Sequence, residues 1–272
     1  MQGPNADRPS QVLTERSARV AAAVKLHRHV GRRRANRFLA EGPNLVEAAS
    51  ARGLVLDVFA TEVAARRHQS LLAEQNAPVH LVTERAAKAL SDTVTPAGLV
   101  AVCEVPATRM ADVLAGSPQL VATAVDINEP GNAGTLIRIA DAMGAAAVIL
   151  AGHSVDPYNG KCVRASAGSI FSVPVVVAAD TSAVVAALRT AGLRVLASAV
   201  DGEMSLDEAQ RLLGAPTAWL FGPESHGLSA EIAMQADHRV RIPMIGGAES
   251  LNVAAAAAIC LYQSARVQGR TC

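Results

Sequence analysis

Leu120-Val121-Ala122-Thr123-Ala124-Val125-Asp126-Ile127-Asn128-Glu129-Pro130-Gly131-Asn132-Ala133-Gly134-Thr135-Leu136-Ile137-Arg138 is the stretch whose reading decides the fold. Residues 120–126 form an almost unbroken apolar run of strand length, closed by Asp126. Pro130, Gly131 and Asn132 interrupt it, and over 132–143 the apolar residues return at helical spacing. An apolar strand that feeds a helix in this way is the unit of a parallel α/β sheet.

The same alternation continues downstream. Strands are expected at 147–150, 173–177, 195–199, 218–221 and 239–242, and helices at 181–191, 206–213, 229–235 and 250–267. Strand-helix-strand order demands right-handed crossovers and a mainly parallel sheet with helices on both faces. Upstream lies a smaller alternation, with strands at 38–40, 55–60, 79–82 and 99–105 and helices at 44–51, 62–75 and 84–90. Val105-Pro106-Ala107-Thr108 separates the two, because Pro cannot continue a central strand. The expected organisation is a disordered tail over 1–13, a small α/β domain over 14–105 and a larger α/β domain over 106–272. The first domain opens on a helix over 14–29, stopped by Gly31 and followed by a basic connector from Arg32 to Arg37.

Half of the 272 residues are apolar, 18% are charged and only 3% are aromatic, so the core must be built from Ala, Val, Leu and Ile. That composition excludes global disorder. The net charge is +1, but it is unevenly spread. Arg8, Arg16, Arg19, Lys25, Arg28, Arg32, Arg33, Arg34 and Arg37 crowd residues 8–37 against the single Glu15, leaving the rest of the chain acidic. The cluster reads either as a footprint for a polyanion or as a solvated helix with a basic loop. Cys103, Cys162, Cys260 and Cys272 lack C-x-x-C spacing, which argues against a disulfide framework and a zinc site. The first three read as small core residues. No signal peptide is visible, and the apolar run over 253–261 is too short for a bilayer. A soluble protein of a reducing compartment, the cytoplasm, is expected.

Three polar islands stand at junctions between an apolar run and a helix: 132–138, Phe221-Gly222-Pro223-Glu224-Ser225-His226-Gly227, and Glu249-Ser250-Leu251-Asn252-Val253. Parallel sheets place their ligands at such junctions. Gly131 and Gly134 permit close backbone approach, and the helix start after them attracts anions. The spacing G-x-x-G is not that of a dinucleotide site, and Leu150-Ala151-Gly152-His153 offers no acidic residue for a ribose. Arg138 interrupts an apolar helix and needs a partner, either a ligand or Asp141 three residues on. Ser229 reads as a helix cap, and His226 as a turn residue rather than a base. Glu249 or Ser250 is positioned to cap the last helix, with Asn252 in its first turn. Lys161, Arg164 and Ser166 either contact phosphate or orient their own loop. The run Val253-Ala254-Ala255-Ala256-Ala257-Ala258 either expresses helix propensity or lets another backbone pack close.

In this order and spacing the islands resemble the signature motifs of the SpoU/TrmH branch of the SPOUT methyltransferases. The likeness takes in Arg164-Ala165-Ser166-Ala167-Gly168. It also takes in Phe38-Leu39-Ala40-Glu41-Gly42-Pro43-Asn44-Leu45-Val46-Glu47-Ala48 and Thr95-Pro96-Ala97-Gly98-Leu99-Val100-Ala101-Val102, which look like that family's N-terminal substrate-binding domain. Roughly residues 25–268 are covered. The resemblance implies a C-terminal deep trefoil knot and an obligate homodimer. It implies S-adenosylmethionine as cofactor and methyl transfer to a ribose 2'-hydroxyl of structured RNA. The separate first domain points to 23S ribosomal RNA, with tRNA as the alternative substrate. A non-catalytic RNA-binding ribosome-assembly factor is the reading from another class. By the same resemblance Gly222, Ile242 and Leu251, with Met244 and Ala199, match cofactor-contact positions. Arg138, Asn132, Glu224, Ser250 and Asn252 match the polar catalytic cluster. Arg28, Arg32, Arg33, Arg34, Arg37, Lys161 and Arg164 are expected to meet RNA. The family's proposed base corresponds to Arg138, but a guanidinium holds its proton in proteins. A cationic Arg138 that stabilises a developing alkoxide fits the chemistry better. No metal and no membrane are expected as partners.

Overall fold

The computed structural model describes residues 12–269. The expected tail lies outside the described residues through residue 11, and so does Cys272. Leu13 is already placed: it bridges Val82 and its N–H donates to the Leu81 carbonyl at 2.8 Å. The chain forms two compact units. One runs to Pro106 and takes in Tyr158–Gly160; the other comprises Ala107–Pro157 and the chain from Lys161.

The first unit is built on four strands, β1 (Arg37–Glu41), β2 (Val55–Ala60), β3 (Val79–Leu81) and β4 (Leu99–Glu104), in the order β1-β4-β2-β3. β4 runs antiparallel to both neighbours, and β3 runs parallel to β2. Val20, Leu26, Phe59, Leu90 and Val100 belong to its core. Its opening departs from expectation. The helix over 14–29 is instead a short helix Ala18–Val24, a 3-10 turn Lys25–His27 and a second helix His29–Ala35. Gly31 does not stop that helix but lies inside it. A Cβ at Gly31 would fall 2.0 Å from the Lys25 carbonyl oxygen, so only glycine lets the second helix press on the turn. The stop comes at Asn36, which takes the left-handed conformation at φ 53°. The basic connector is therefore helical through Ala35. The helix expected over 62–75 is two, Glu62–Arg67 and Gln69–Ala73, parted at His68, whose backbone leaves the helical region.

The second unit contains a seven-stranded sheet of β5 (Leu120–Val125), β6 (Ala147–Ala151), β7 (Val175–Ala178), β8 (Arg194–Ser198), β9 (Met204–Ser205), β10 (Thr217–Phe221) and β11 (His238–Arg241). The order is β7-β6-β5-β10-β8-β11-β9, and every pairing is parallel. β5, β6 and β10 are buried at every residue, which is why they read as continuous apolar runs. The two-residue β9 and the helices Met110–Ala115 and Gly160–Ala165 were not expected; each is too short to carry a period.

A parallel sheet puts all strand carboxyl ends on one edge. From β5 the chain steps outward to β6 and β7 on one side, while β10, β8, β11 and β9 lie on the other. The boundary between β5 and β10 is thus a reversal of strand order, the place where such sheets open a crevice.

The last helix, Val253–Val267, packs against the helix Pro130–Ala142 and strands β5 and β10. Five of the seven buried residues of this helix are small: Ala254, Ala257, Cys260, Ser264 and Ala265. The helix begins at Val253 rather than 250. Its cap is Asn252, whose Oδ1 accepts from the N–H of Ala254 (2.9 Å) and Ala255 (3.4 Å), not Glu249 or Ser250. Gly134 serves packing too: a Cβ there would lie 2.3 Å from the Cys162 carbonyl oxygen, so its close approach is to the helix Gly160–Ala165 and not to a ligand. Burial pushes the thiols of Cys103, Cys162 and Cys260 up to about 12, so they act as core residues. Among the described residues no helix is long and apolar enough to cross a membrane, and no group of three or more His, Cys, Asp or Glu could hold a metal ion.

Trp219 on β10 is fully buried, and its Nε1–H donates to Ser264 Oγ at 2.9 Å. Ser264→Ala leaves that indole donor unpaired. It is expected to cost about 1–3 kcal/mol, seen as a fall of a few degrees in Tm and altered emission of the sole tryptophan.

Candidate active site

Four loops leave the carboxyl edge of the sheet near the strand-order reversal: after β5, β8, β10 and β11. Three of them, with the last helix, line one cavity. From β8 come Ser198, Ala199 and Val200; from β10 come Phe221, Gly222, Pro223, Glu224 and Gly227. The segment after β11 supplies Ile242, Met244, Ser250 and Leu251, and the last helix supplies Val253 and Ala256. The wall is mostly apolar, and among the described residues Glu224 is its only ionisable group. The five residues expected at a cofactor, Gly222, Ile242, Leu251, Met244 and Ala199, all line it. Among the described residues the N–H groups of Gly222, Ile242 and Leu251 have no hydrogen-bond partner, so each can serve a ligand. A Cβ on Gly222 would fall 2.5 Å from the Gly227 carbonyl carbon and the Leu228 nitrogen. The β10 loop therefore folds flat on itself there, and only glycine permits it.

The polar islands meet at the cavity rim. Glu224 Oε1 accepts from Asn132 Nδ2 (2.5 Å), Asn252 Nδ2 (3.0 Å) and the Val253 N–H (3.4 Å). Asn252 Nδ2 also donates to Asn132 Oδ1 at 3.1 Å. Each side chain is delivered by a different element: Asn132 by the first turn of the helix Pro130–Ala142, Glu224 by the β10 loop, and Asn252 by the cap of the last helix. Three residues separated by up to 120 positions thus share one carboxylate oxygen.

Arg138 stands apart from this cluster. It is exposed, does not line the cavity and makes no ion pair with Asp141 or any other described residue. Ser250 is exposed on the cavity wall. Ser229 caps its helix as expected, accepting from the Ile232 N–H at 3.3 Å. His226 is exposed with Nδ1 on Ser225 Oγ at 2.8 Å.

The anion site expected at the start of the helix Pro130–Ala142 is already filled by the chain itself. Glu129 Oε1 accepts from the Gly131 N–H (3.1 Å) and from Lys161 Nζ (2.5 Å). The Lys161 ammonium, then the Gly131 amide, hold the Glu129 carboxyl below its usual range. Lys161 is thus paired, Arg164 is engaged within the chain, and Ser166 is buried with its hydroxyl on the Val163 carbonyl at 2.7 Å. Of the basic stretch, Arg28 just before the helix, Arg33 and Arg34 within it and Arg37 at the start of β1 are exposed and without an ion pair among the described residues. Arg32 is 6% exposed, and its NH1 donates to the Leu26 and His27 carbonyls, both at 2.9 Å. It closes the preceding turn, which removes it from the basic surface. Sequence reasoning missed Ser198, Val200 and Ala256 on the cavity wall. The signal for the first two is positional: Ser198 is the last residue of β8 and Val200 follows it by two.

The model of the SpoU rRNA Methylase family matches residues 119–262, and that of the MRM3-like substrate binding domain matches 17–101. The chain is 33% identical over 253 residues to the 23S rRNA (guanosine(2553)-2'-O)-methyltransferase RlmP of Bacillus subtilis, covering 93% of this chain and 98% of that protein. It is 39% identical over 181 residues to the 23S rRNA (uridine(2479)-2'-O)-methyltransferase of Streptomyces viridochromogenes, covering 65% of this chain and 63% of that one. Among solved structures, the SpoU methyltransferase AviRb from Streptomyces viridochromogenes in complex with AdoMet superimposes with a TM-score of 0.83 at 31% identity. The match covers 92% of this chain and 98% of that one.

Proposed function

The chain belongs to the SpoU rRNA methylase family, and from that premise we propose that it methylates a ribose 2'-hydroxyl of 23S ribosomal RNA with S-adenosylmethionine as donor. The observation that carries this reading is the convergence of Asn132, Glu224 and Asn252 on one oxygen at the rim of an apolar strand-end cavity. The cavity suits the cofactor. Its apolar wall matches a flat adenine, the open N–H groups of Gly222, Ile242 and Leu251 match the base's polar edge, and the Glu224 carboxylate complements a cationic sulfonium.

When bound, S-adenosylmethionine supplies an electrophilic methyl group. The chain's part is positioning, an effect worth up to about 7–11 kcal/mol in well-oriented reactions. Glu224, Asn132 and Asn252 form a rigid rim that fixes where the ribose rests, and Ser250 offers it a hydroxyl. Arg138 stays cationic and stabilises the oxygen as its proton leaves to water or an RNA phosphate. In the first unit, Arg28, Arg33, Arg34 and Arg37 form an open basic surface for phosphates. Residues 14–105 then serve as the RNA-binding domain and 106–272 as the methyltransferase domain. Lys161 and Arg164 join the RNA contact only by leaving their present partners. A homodimer, a trefoil knot around the cavity and a cytoplasmic location complete the proposal. The exposed Ile259 and Tyr262 on the last helix favour the dimer.

The test is to incubate the protein with labelled S-adenosylmethionine and either 23S rRNA, assembling large subunits or bulk tRNA, then map ribose methylation. One 2'-O-methyl group in 23S rRNA is expected. Methylation confined to tRNA would replace the substrate assignment. Cofactor binding without transfer to any RNA would favour the non-catalytic assembly factor.

A further inference from the structure

The loop that follows β8 carries one wall of the cavity and is sewn to β11 by a set of contacts that the reaction does not use. Glu203 Oε1 accepts the backbone N–H of Arg239 (2.9 Å), and its Oε2 accepts Arg239 Nε (3.1 Å). Arg239 NH1 reaches across to Asp201 Oδ2 (3.1 Å). Between the two acids, Gly202 lies flat on the strand: a Cβ there would sit 2.7 Å from the Arg241 nitrogen and 2.8 Å from the Arg239 oxygen. Arg241 NH1 closes the set on the Gly202 carbonyl at 2.9 Å.

These contacts join the two sides of the cavity. Ala199 and Val200 line it within four residues before Glu203, and Ile242 and Met244 line it within five residues after Arg239. Val200 is 64% exposed, an apolar side chain left open on the cavity wall. An isolated surface ion pair does little. Here, however, one carboxylate grips both the main chain and the side chain of the same residue, which fixes loop and strand in register. The backbone N–H of Arg239 is also the leading reason the Glu203 carboxyl titrates below its usual range, so the grip is in place at neutral pH and loosens in acid.

We infer that Arg239, with Glu203, is a positioning residue of the cofactor pocket: it holds the β8 loop against β11 so that Ala199 and Val200 meet the ligand already in place. This rests on the methyltransferase reading. Pre-forming a pocket wall removes an ordering cost from binding, so losing the clamp should appear in affinity and not in the chemical step.

The experiment is calorimetric titration of the ligand-free protein with S-adenosylmethionine, alongside hydrogen exchange of amides 199–203, Tm and kcat at saturating cofactor. Binding by the unaltered protein is the control for the methyltransferase reading; its absence would sink that reading before the clamp is tested. Arg239→Ala is expected to raise Kd about tenfold and speed exchange in the loop. The same variant should leave Tm within a few degrees and saturated kcat within about twofold. Glu203→Gln should follow it, Asp201→Asn should change Kd less than threefold, and Arg239→Lys should recover part of the loss. Faster loop exchange with an unchanged Kd overturns the inference. So does a parallel loss of Tm, Kd and kcat in both Arg239→Ala and Arg239→Lys, which would mark Arg239 as general scaffold.

Discussion

Arg138→Ala is expected to lower kcat by about 10²–10³-fold, the range seen when one group that stabilises a developing oxyanion is removed. Its affinity for S-adenosylmethionine should stay within about twofold. The split follows from position. Arg138 lies on the helix Pro130–Ala142 but is absent from the cavity wall, so no cofactor contact is lost with it. It is also exposed and without an ion-pair partner among the described residues, so no structural bond is lost either. What goes is a permanent positive charge with a planar fork of donors. Arg138→Lys keeps the charge and loses the fork, so it should recover only part of the rate. The measurements are single-turnover methyl transfer at saturating RNA and calorimetric cofactor binding. If Arg138→Ala turned over near normally, neither a base nor an electrostatic role would survive. If it lost cofactor affinity in step with rate, the charge would belong to the cofactor site and not to the ribose.

Much of this arrangement was legible in the residues, for a physical reason. β5, β6 and β10 are buried on both faces, and such strands announce themselves as apolar runs. Once they are parallel, their following loops must share an edge, so the islands after β5 and β10 and before the last helix had to come near each other. The contacts that escaped are those that depend on backbone direction. Gly31 looks like a stop because glycine disfavours helices, yet it sits in one to clear the Lys25 carbonyl. Arg32 looks like its neighbours Arg33 and Arg34, and only the turn in front of it draws its guanidinium inward. Asn252 rather than Ser250 caps the last helix because the backbone leaves the helical region at Asn252 itself (ψ 141°), which no side-chain pattern signals. Asn132, Glu224 and Asn252 were expected in one cluster, but the bonding was not legible: no residue pattern signals that both amides donate to Glu224 Oε1 and that Asn252 also donates to Asn132.

Glu224 therefore offers the sharpest test of whether the rim is scaffold or reagent. All three of its hydrogen bonds fall on Oε1, from Asn132, Asn252 and the Val253 N–H. Glu224→Ala removes the oxygen that holds the three loops together. It also removes the only ionisable group on the cavity wall among the described residues. Both losses act in one direction, and kcat/KM should fall by about 100-fold, roughly 2.7 kcal/mol of transition-state stabilisation. Glu224→Gln separates the two. A glutamine oxygen at the same place still accepts from the asparagines, but as a neutral and weaker acceptor, and it no longer faces a sulfonium with a negative charge. If the rim acts by geometry, Glu224→Gln should stay within about tenfold of the unaltered enzyme while Glu224→Ala does not. If charge is what matters, the two variants should be equally impaired, with the loss concentrated in cofactor affinity. The geometry argues for the first outcome: among the described residues three donors converge on Oε1 and none reaches Oε2, an arrangement that fixes loops first and attracts a ligand second. Turnover by Glu224→Ala within threefold of normal would remove Glu224, and with it the convergence of the three islands, from any account of the reaction.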